Sequence, residues 1–289
     1  ERGWTFIPGN KLEREDYEDP LLVLPLLRAL KRINNASEIT EKDLQRVIEE
    51  LRLVPTGPEG AKKILNFYKF GVPVRLEKTR ELTRIRLFDY EKPENNEFVV
   101  SRQVYNKGRE SIRNDLLLYV NGIPLVNIEC KDQTNLGVSW VDAYRQIKDY
   151  EQAVPELYKY VQIGVAAEAF ARYFPIVPWQ KEVDTQKWCE DGEDPLRDIA
   201  AMLSPETLLD ILRHYFFYQV VHDRATKVIA RYMQYRAGKK IVERVMRFFR
   251  GEDDKKWGLI WHWQGSGKTL TMIFAAHALY FRRELENPS

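Results

Sequence analysis

Two short stretches carry residue types that could do chemistry together. In PLVNIECKDQ, Pro124 to Gln133, an apolar run ends in Glu129 and Lys131 with one residue between them. A carboxylate and an ammonium at the mouth of an apolar strand are costly unless paired, hydrogen-bonded or bound to a metal, so they are either a structural ion pair or a catalytic pair. In HWQGSGKTL, His262 to Leu270, Gly265 and Gly267 flank Ser266 and let backbone N–H groups turn inward around an anion. Lys268 then reaches the outer phosphates of a nucleotide, and Thr269 is placed to hold Mg²⁺ at the start of a helix. His262 stands where the full phosphate-loop pattern has its first glycine.

The elements that must position these groups follow from periodicity. NDLLLYV, Asn121-Gly122 and IPLVNIECK form the clearest hairpin, because Asn-Gly between two apolar runs is a strong short-range turn signal. Both strands are apolar at nearly every position, which predicts a sheet covered on both faces. Val138 to Val154 fits a helix and Lys159 to Glu168 a further strand, an α/β unit with charges gathered at one hairpin end. Upstream, Thr40 to Leu51 and Glu59 to Gly71 read as helices, followed by strands in VPVRLEK, TRIRLFDY and FVVSRQVYN, after an irregular, proline-bearing opening. Pro175 to Pro205 reads as a connector. SPETLLDILRHYFFY and the basic TKVIARYMQYRAGKKIVERVMRFFR read as helices, the latter with a break at Gly238, and WGLIWHW as a short strand before the phosphate loop.

A chain of 289 residues with 44% hydrophobic residues can bury a substantial core and holds more than one domain. Its 45 basic and 43 acidic residues nearly cancel, so local patches rather than net charge decide about nucleic acid. Cys130 and Cys189 are too few for a disulfide framework and lack metal-ligand spacing, which suits free thiols in a reducing cytoplasm. The apolar Leu21 to Leu27 run is too short for a membrane span and contains Pro25.

Strand alternation puts Glu129 and Lys131 on one face and Cys130 on the other, while Asp115 starts the preceding strand. Register decides whether Asp115 and Glu129 can act together. A simple two-residue turn would put them on opposite faces. A three-residue loop of Val120, Asn121 and Gly122, or a distortion at Asp115, brings them together, and that is the expectation here.

Asp followed by Glu-x-Lys on the next strand resembles the PD-(D/E)xK nucleases, with Asn114 in place of the proline. The resemblance implies a mixed sheet flanked by helices, with Asp115 and Glu129 as Mg²⁺ ligands and Lys131 stabilising charge on the reacting oxygens. Gln146 and Tyr150, four residues apart on the next helix, resemble the extra Gln-x-x-x-Tyr motif of a subset of these nucleases. Arg231, Gln234 and Ala237 resemble the glutamine motif of superfamily 2 helicases, in which Gln234 would read both edges of adenine in ATP.

Nuclease, glutamine motif and phosphate loop together resemble the restriction (motor) subunit of Type I restriction-modification enzymes, over most of Tyr90 to Tyr280. The resemblance implies an endonuclease domain at residues 1–172, a connector at 173–203 and the start of a RecA-like motor domain at 204–289. It further implies double-stranded DNA as substrate, ATP-driven translocation, and methyltransferase and specificity subunits as partners. The family's acidic helix ahead of GWTFIPG would precede Glu1, and its later ATPase motifs would follow Ser289, so the chain reads as part of a larger subunit. Two other readings remain: a nuclease-fold coupling module that binds DNA or partners without cutting, and a DNA-end-processing helicase-nuclease. Arg102, Lys107, Arg109 and Arg113 lie near the hairpin and could track phosphates.

Overall fold

A computed structural model describes residues 3–14, 16–132, 134, 137–190, 192–221, 223–255, 257–261, 263–282, 284 and 285. His262 and Gln133 lie outside the described residues. The elements in order are β1 (Thr5–Phe6), α1 (Val23–Ile33), α2 (Glu41–Arg52), α3 (Pro58–Phe70), β2 (Val72–Arg75), β3 (Leu82–Ile85), β4 (Phe98–Lys107), β5 (Ser111–Val120), β6 (Ile123–Cys130) and α4 (Trp140–Ala153). There follow α5 (Pro155–Tyr158), β7 (Ile163–Ala167), β8 (Ala171–Pro175), α6 (Pro195–Met202), α7 (Pro205–His214), β9 (Phe216–Val221), β10 (Arg224–Ile229), α8 (Tyr232–Phe249) and α9 (Lys268–Tyr280).

Six strands form one mixed sheet in the order β1-β4-β5-β6-β7-β8. β4, β5 and β6 are an antiparallel meander, and α4 carries the chain across to β7, which lies parallel to β6. Ser139 starts that crossover in a capping box with Asp142, so the site-bearing helix has a defined first turn. Both faces are covered, as the apolar strands require. Leu118, Val120 and Val126 share a core with α1, α2 and α3, while Leu117 and Tyr119 pack with Ala143 and Ile147 of α4. The fold is α/β, a mixed nuclease-type sheet flanked by helices.

The hairpin corrects one expectation. Its turn is two residues, with φ of 53° at Asn121 and 77° at Gly122, and Val120 pairs with Ile123. The extra residue sits inside the strand: Tyr119 pairs with Pro124 and Leu118 with Val126, so Leu125 is bulged out. Pro124 has no N–H to give to the ladder, which makes the adjacent position the cheapest place for a bulge. The shift puts Leu116 opposite Ile128, and the next residues along, Asp115 and Glu129, meet.

Other departures have equally local causes. Leu21 to Leu27 runs into α1, where Pro25 falls in the first turn and has no intrahelical bond to break. Thr226 to Ile229 belong to β10, paired with β9, rather than to a helix, and Phe216 to Tyr218 belong to β9. α8 runs through Gly238 unbroken, because that glycine lets the Tyr215 ring approach: a Cβ there would lie 2.7 Å from Cε1. The 173–203 segment carries the end of β8, a Tyr173–Gln186 bridge and α6, all packed on the main core. Trp257 to Trp261 and Trp263 form no sheet among the described residues and are mostly exposed, since a buried strand needs neighbours to pair with. Among the described residues no helix is long and apolar enough to cross a membrane, and Cys130 and Cys189 are both free.

Candidate active site and nucleotide loop

Where β5 and β6 stop pairing, side chains take the place of the ladder. The Asp115 N–H donates to Glu129 Oε1 at 3.2 Å, and the Cys130 N–H donates to Asp115 Oδ2 at 3.0 Å. Glu129 is fully buried, and its Oε2 has no hydrogen-bond partner among the described residues. Burial, and then the Asp115 carboxylate beside it, push the Glu129 pKa up to about 8. Two carboxylates held this way are poised for a cation or a shared proton. Among the described residues no three His, Cys, Asp or Glu side chains converge to hold a metal, so the site offers two carboxylates.

Lys131 follows directly after β6, its backbone tied to Ala167 of β7 at 2.8 Å. Its ammonium donates to Gln146 Oε1 on α4. Gln146 Nε2 donates to the Tyr150 hydroxyl at 2.7 Å, and that hydroxyl donates to the Arg113 carbonyl at 3.3 Å. One turn of α4 thus aims both side chains at the strand ends, and the chain Lys131–Gln146–Tyr150 ends on Arg113 of β5, two residues before Asp115.

Sequence reasoning missed the shell beneath them. Asn114, in the proline position, is buried and accepts from Asn106 Nδ2 at 2.9 Å. The Tyr158 hydroxyl accepts from Asn114 at 3.2 Å and from Asn127 at 2.8 Å, so an amide network spans β4, β5 and β6 under the carboxylates. Gln103 on β4 donates from Nε2 to Asp115 Oδ1 at 2.9 Å. Nothing in spacing or alternation marks Gln103, which sits in an ordinary strand pattern. Arg102, Arg109 and Arg113 are exposed, whereas Lys107 pairs with Glu18 at 2.7 Å.

The phosphate-loop residues form a separate site. Gly265 and Gly267 both have φ of 79°, and α9 starts at Lys268. Ser266 is buried, Thr269 is exposed, and Lys268 Nζ donates to the Trp263 carbonyl at 3.1 Å. Gln234 is engaged by the loop itself: Nε2 donates to the Ser266 and Gly267 carbonyls at 3.2 and 3.3 Å, while Oε1 accepts from the Arg231 N–H at 2.9 Å. Its amide is therefore spent on the loop rather than turned toward a base. Beside it lies a cavity of about 420 Å³ lined by Gln234, Gly265, Gly267 and Leu270 on one side and by Thr226 and Gln186 on the other.

Comparisons with known proteins match two stretches of the chain to two families. Residues 1–183 match the family described as Type I restriction enzyme R protein N terminus, and residues 233–289 match SWI2/SNF2 ATPase. A putative type I restriction enzyme MjaVIIIP endonuclease subunit from Methanocaldococcus jannaschii is 33% identical over 99% of this chain and 28% of its own length. The type I restriction enzyme HindI endonuclease subunit of Haemophilus influenzae is 26% identical over 99% of this chain and 29% of its own. The EcoprrI endonuclease subunit of Escherichia coli is 27% identical over 80% of this chain and 75% of the relative. The chain spans less than a third of the length of the first two of these relatives.

Proposed function

The chain belongs to the family of Type I restriction enzyme R proteins, and from that premise we propose that Asp115, Glu129 and Lys131 cut double-stranded DNA with Mg²⁺, in a subunit whose motor is driven by ATP. The observation that carries the reading is the buried Oε2 of Glu129, which has no hydrogen-bond partner among the described residues, in a carboxylate whose Oε1 accepts from the Asp115 N–H at a point where the hairpin opens.

The residues fit a hard divalent cation: two carboxylates, one with an oxygen that no described residue satisfies, and among the described residues no soft ligand beside them except an exposed thiol on Cys130. Asp115 and Glu129 would hold it. When bound, Mg²⁺ supplies electrophilic polarisation of the phosphodiester and favours ionised water near it. Lys131 places a positive charge where negative charge builds on the reacting phosphate oxygens, and Gln146 and Tyr150 hold that ammonium in place. Exposed Arg102, Arg109 and Arg113 contact the DNA backbone. Gly265 to Thr269 cradle the phosphates of ATP, with Lys268 on the outer ones. Methyltransferase and specificity subunits supply target recognition.

The test is DNA cleavage and ATP hydrolysis by the full-length subunit with its partner subunits, comparing wild type with Lys131→Ala and Lys268→Ala. Lys131→Ala is expected to lose cutting and keep hydrolysis, and Lys268→Ala to lose both. Normal cutting by Lys131→Ala would make the hairpin charges structural and leave a non-cutting coupling module.

A further inference from the structure

Four described non-glycine residues have positive φ, and three of them, Arg80, Asn121 and Asp223, lie in the turns between paired strands. The fourth, Gln103, lies in the middle of β4 with φ of 56°. A side chain in the left-handed region of a central strand is strained, and such strain persists only where surrounding contacts impose it. Here it interrupts the ladder at one point. Arg102 pairs with Leu116 and Val104 with Asn114, while Gln103, opposite Asp115, is skipped.

The N-terminal segment packs against β4 at this point. Ile7 donates its N–H to the Val100 carbonyl at 3.0 Å, which lays the 3-10 turn Gly9–Lys11 along β4. A Cβ on Gly9 would meet the Gln103 carbonyl at 2.7 Å and the Arg102 carbonyl at 2.8 Å, so the two backbones touch at the distortion. The result is a side chain turned to donate from Nε2 to Asp115 Oδ1 at 2.9 Å, while the other oxygen accepts from the Cys130 N–H.

We propose that Gln103 is a positioning residue for the nuclease site, held in a strained backbone by Gly9 so that its amide fixes the rotation of the Asp115 carboxylate toward Glu129. The proposal rests on the nuclease reading above. The residue type is suited to the task. An amide donor holds the carboxylate without neutralising it and without placing a second positive charge where a divalent cation binds, as lysine or arginine would. One side-chain donor on Oδ1 and one backbone donor on Oδ2 define the carboxylate plane and still leave a lone pair on each oxygen.

Gln103→Gly and Gln103→Leu separate positioning from architecture. Glycine relieves the positive φ and removes the amide, whereas leucine keeps the bulk and loses the donor. The measurements, on the full-length subunit, are melting temperature, Mg²⁺ affinity by calorimetry without nucleotide, and the Mg²⁺ concentration that half-saturates cleavage with partner subunits and ATP. Gln103→Gly is expected to melt at or above the wild-type temperature, and in both variants Mg²⁺ affinity and half-saturation should weaken about tenfold or more. Melting unchanged in Gln103→Gly with Mg²⁺ affinity and half-saturation within about twofold of wild type would overturn the proposal. Asp115→Asn, measured alongside, keeps the two readings apart. If it loses Mg²⁺ and cutting while the Gln103 variants keep both, only the positioning role fails; if it also binds and cuts normally, the nuclease site itself is misplaced.

Discussion

Asp115 and Glu129 are joined through a backbone N–H and a side-chain oxygen, 3.2 Å apart, at the position where their two strands cease to pair. Oε1 of Glu129 accepts from that N–H, while Oε2 is buried with no hydrogen-bond partner among the described residues, beside another carboxylate. An arrangement of this kind is destabilising in the absence of a cation. Glu129→Gln is expected to raise the unfolding free energy of the Mg²⁺-free protein by roughly 1–2 kcal/mol, while abolishing cleavage and leaving ATP hydrolysis intact. Thermal melts with and without Mg²⁺ check the first part: added Mg²⁺ should raise the wild-type melting temperature and leave the variant's unchanged.

Gln146 stands between Lys131 and Tyr150, accepting from the one and donating to the other. Because Tyr150 reaches Lys131 through Gln146, its removal should cost less. Tyr150→Phe is expected to slow cleavage roughly 3–10-fold, and Gln146→Ala roughly 10–100-fold, with neither changing ATP hydrolysis. A double variant no slower than Gln146→Ala alone would confirm that the two act in series, whereas multiplying effects would assign Tyr150 an independent contact with DNA.

How much of this site could be read from residues alone depends on what sets each contact. Asp115, Glu129, Lys131, Gln146 and Tyr150 were singled out by resemblance to the PD-(D/E)xK and Gln-x-x-x-Tyr motifs; strand alternation put Glu129 and Lys131 on one face and helical spacing did the same for Gln146 and Tyr150, but neither period alone joined Asp115 to Glu129. The turn length was not legible, since Asn-Gly permits both hairpins, and the register correction lies just beyond the turn at Pro124 and Leu125. Pro124 was visible as a residue without an N–H, but a proline in a strand does not say which way the partner slips. Gln103 was illegible for a stronger reason. Its conformation is imposed by Gly9, more than ninety residues earlier, and no local pattern encodes a contact across that distance. The strand at Thr226 to Ile229 was hidden in a basic run whose helical spacing from Tyr232 onward is genuine, so the period of the longer element overwrote the shorter.

Gly267 and Gln234 meet more closely than any other residue would allow. A Cβ at Gly267 would lie 2.4 Å from Gln234 Nε2, and its φ is 79°. Gly267→Ala is expected to weaken ATP binding by the full-length subunit about tenfold or more. Adding Gln234→Ala distinguishes the two causes. Recovery of affinity in the double variant would identify the collision, and no recovery would identify the backbone strain, with equilibrium binding of a fluorescent ATP analogue as the measurement.

Lys69, near the end of α3, is buried with its ammonium 4.1 Å from the centre of the Phe217 ring on β9. Burial pulls its pKa down to about 7. His214 on α7 and His277 on α9 share the junction and are pushed down to about 2 and about 4, by burial first and then by Arg213 and Lys69 around them. Lys69 thus binds its proton less readily folded than unfolded, so stability is full above the unfolded value near 10.5 and is lost as pH falls toward about 7. Lys69→Met keeps the length of the side chain and removes the charge. It is expected to raise unfolding free energy by roughly 2 kcal/mol at pH 7 and below, allowing for the partial offset by the Phe217 ring, with the gain shrinking toward pH 10. Urea denaturation of both proteins across that range checks it. A gain that stays constant with pH would mean that Met packs better against Phe217, and that the buried ammonium was never the source of the penalty.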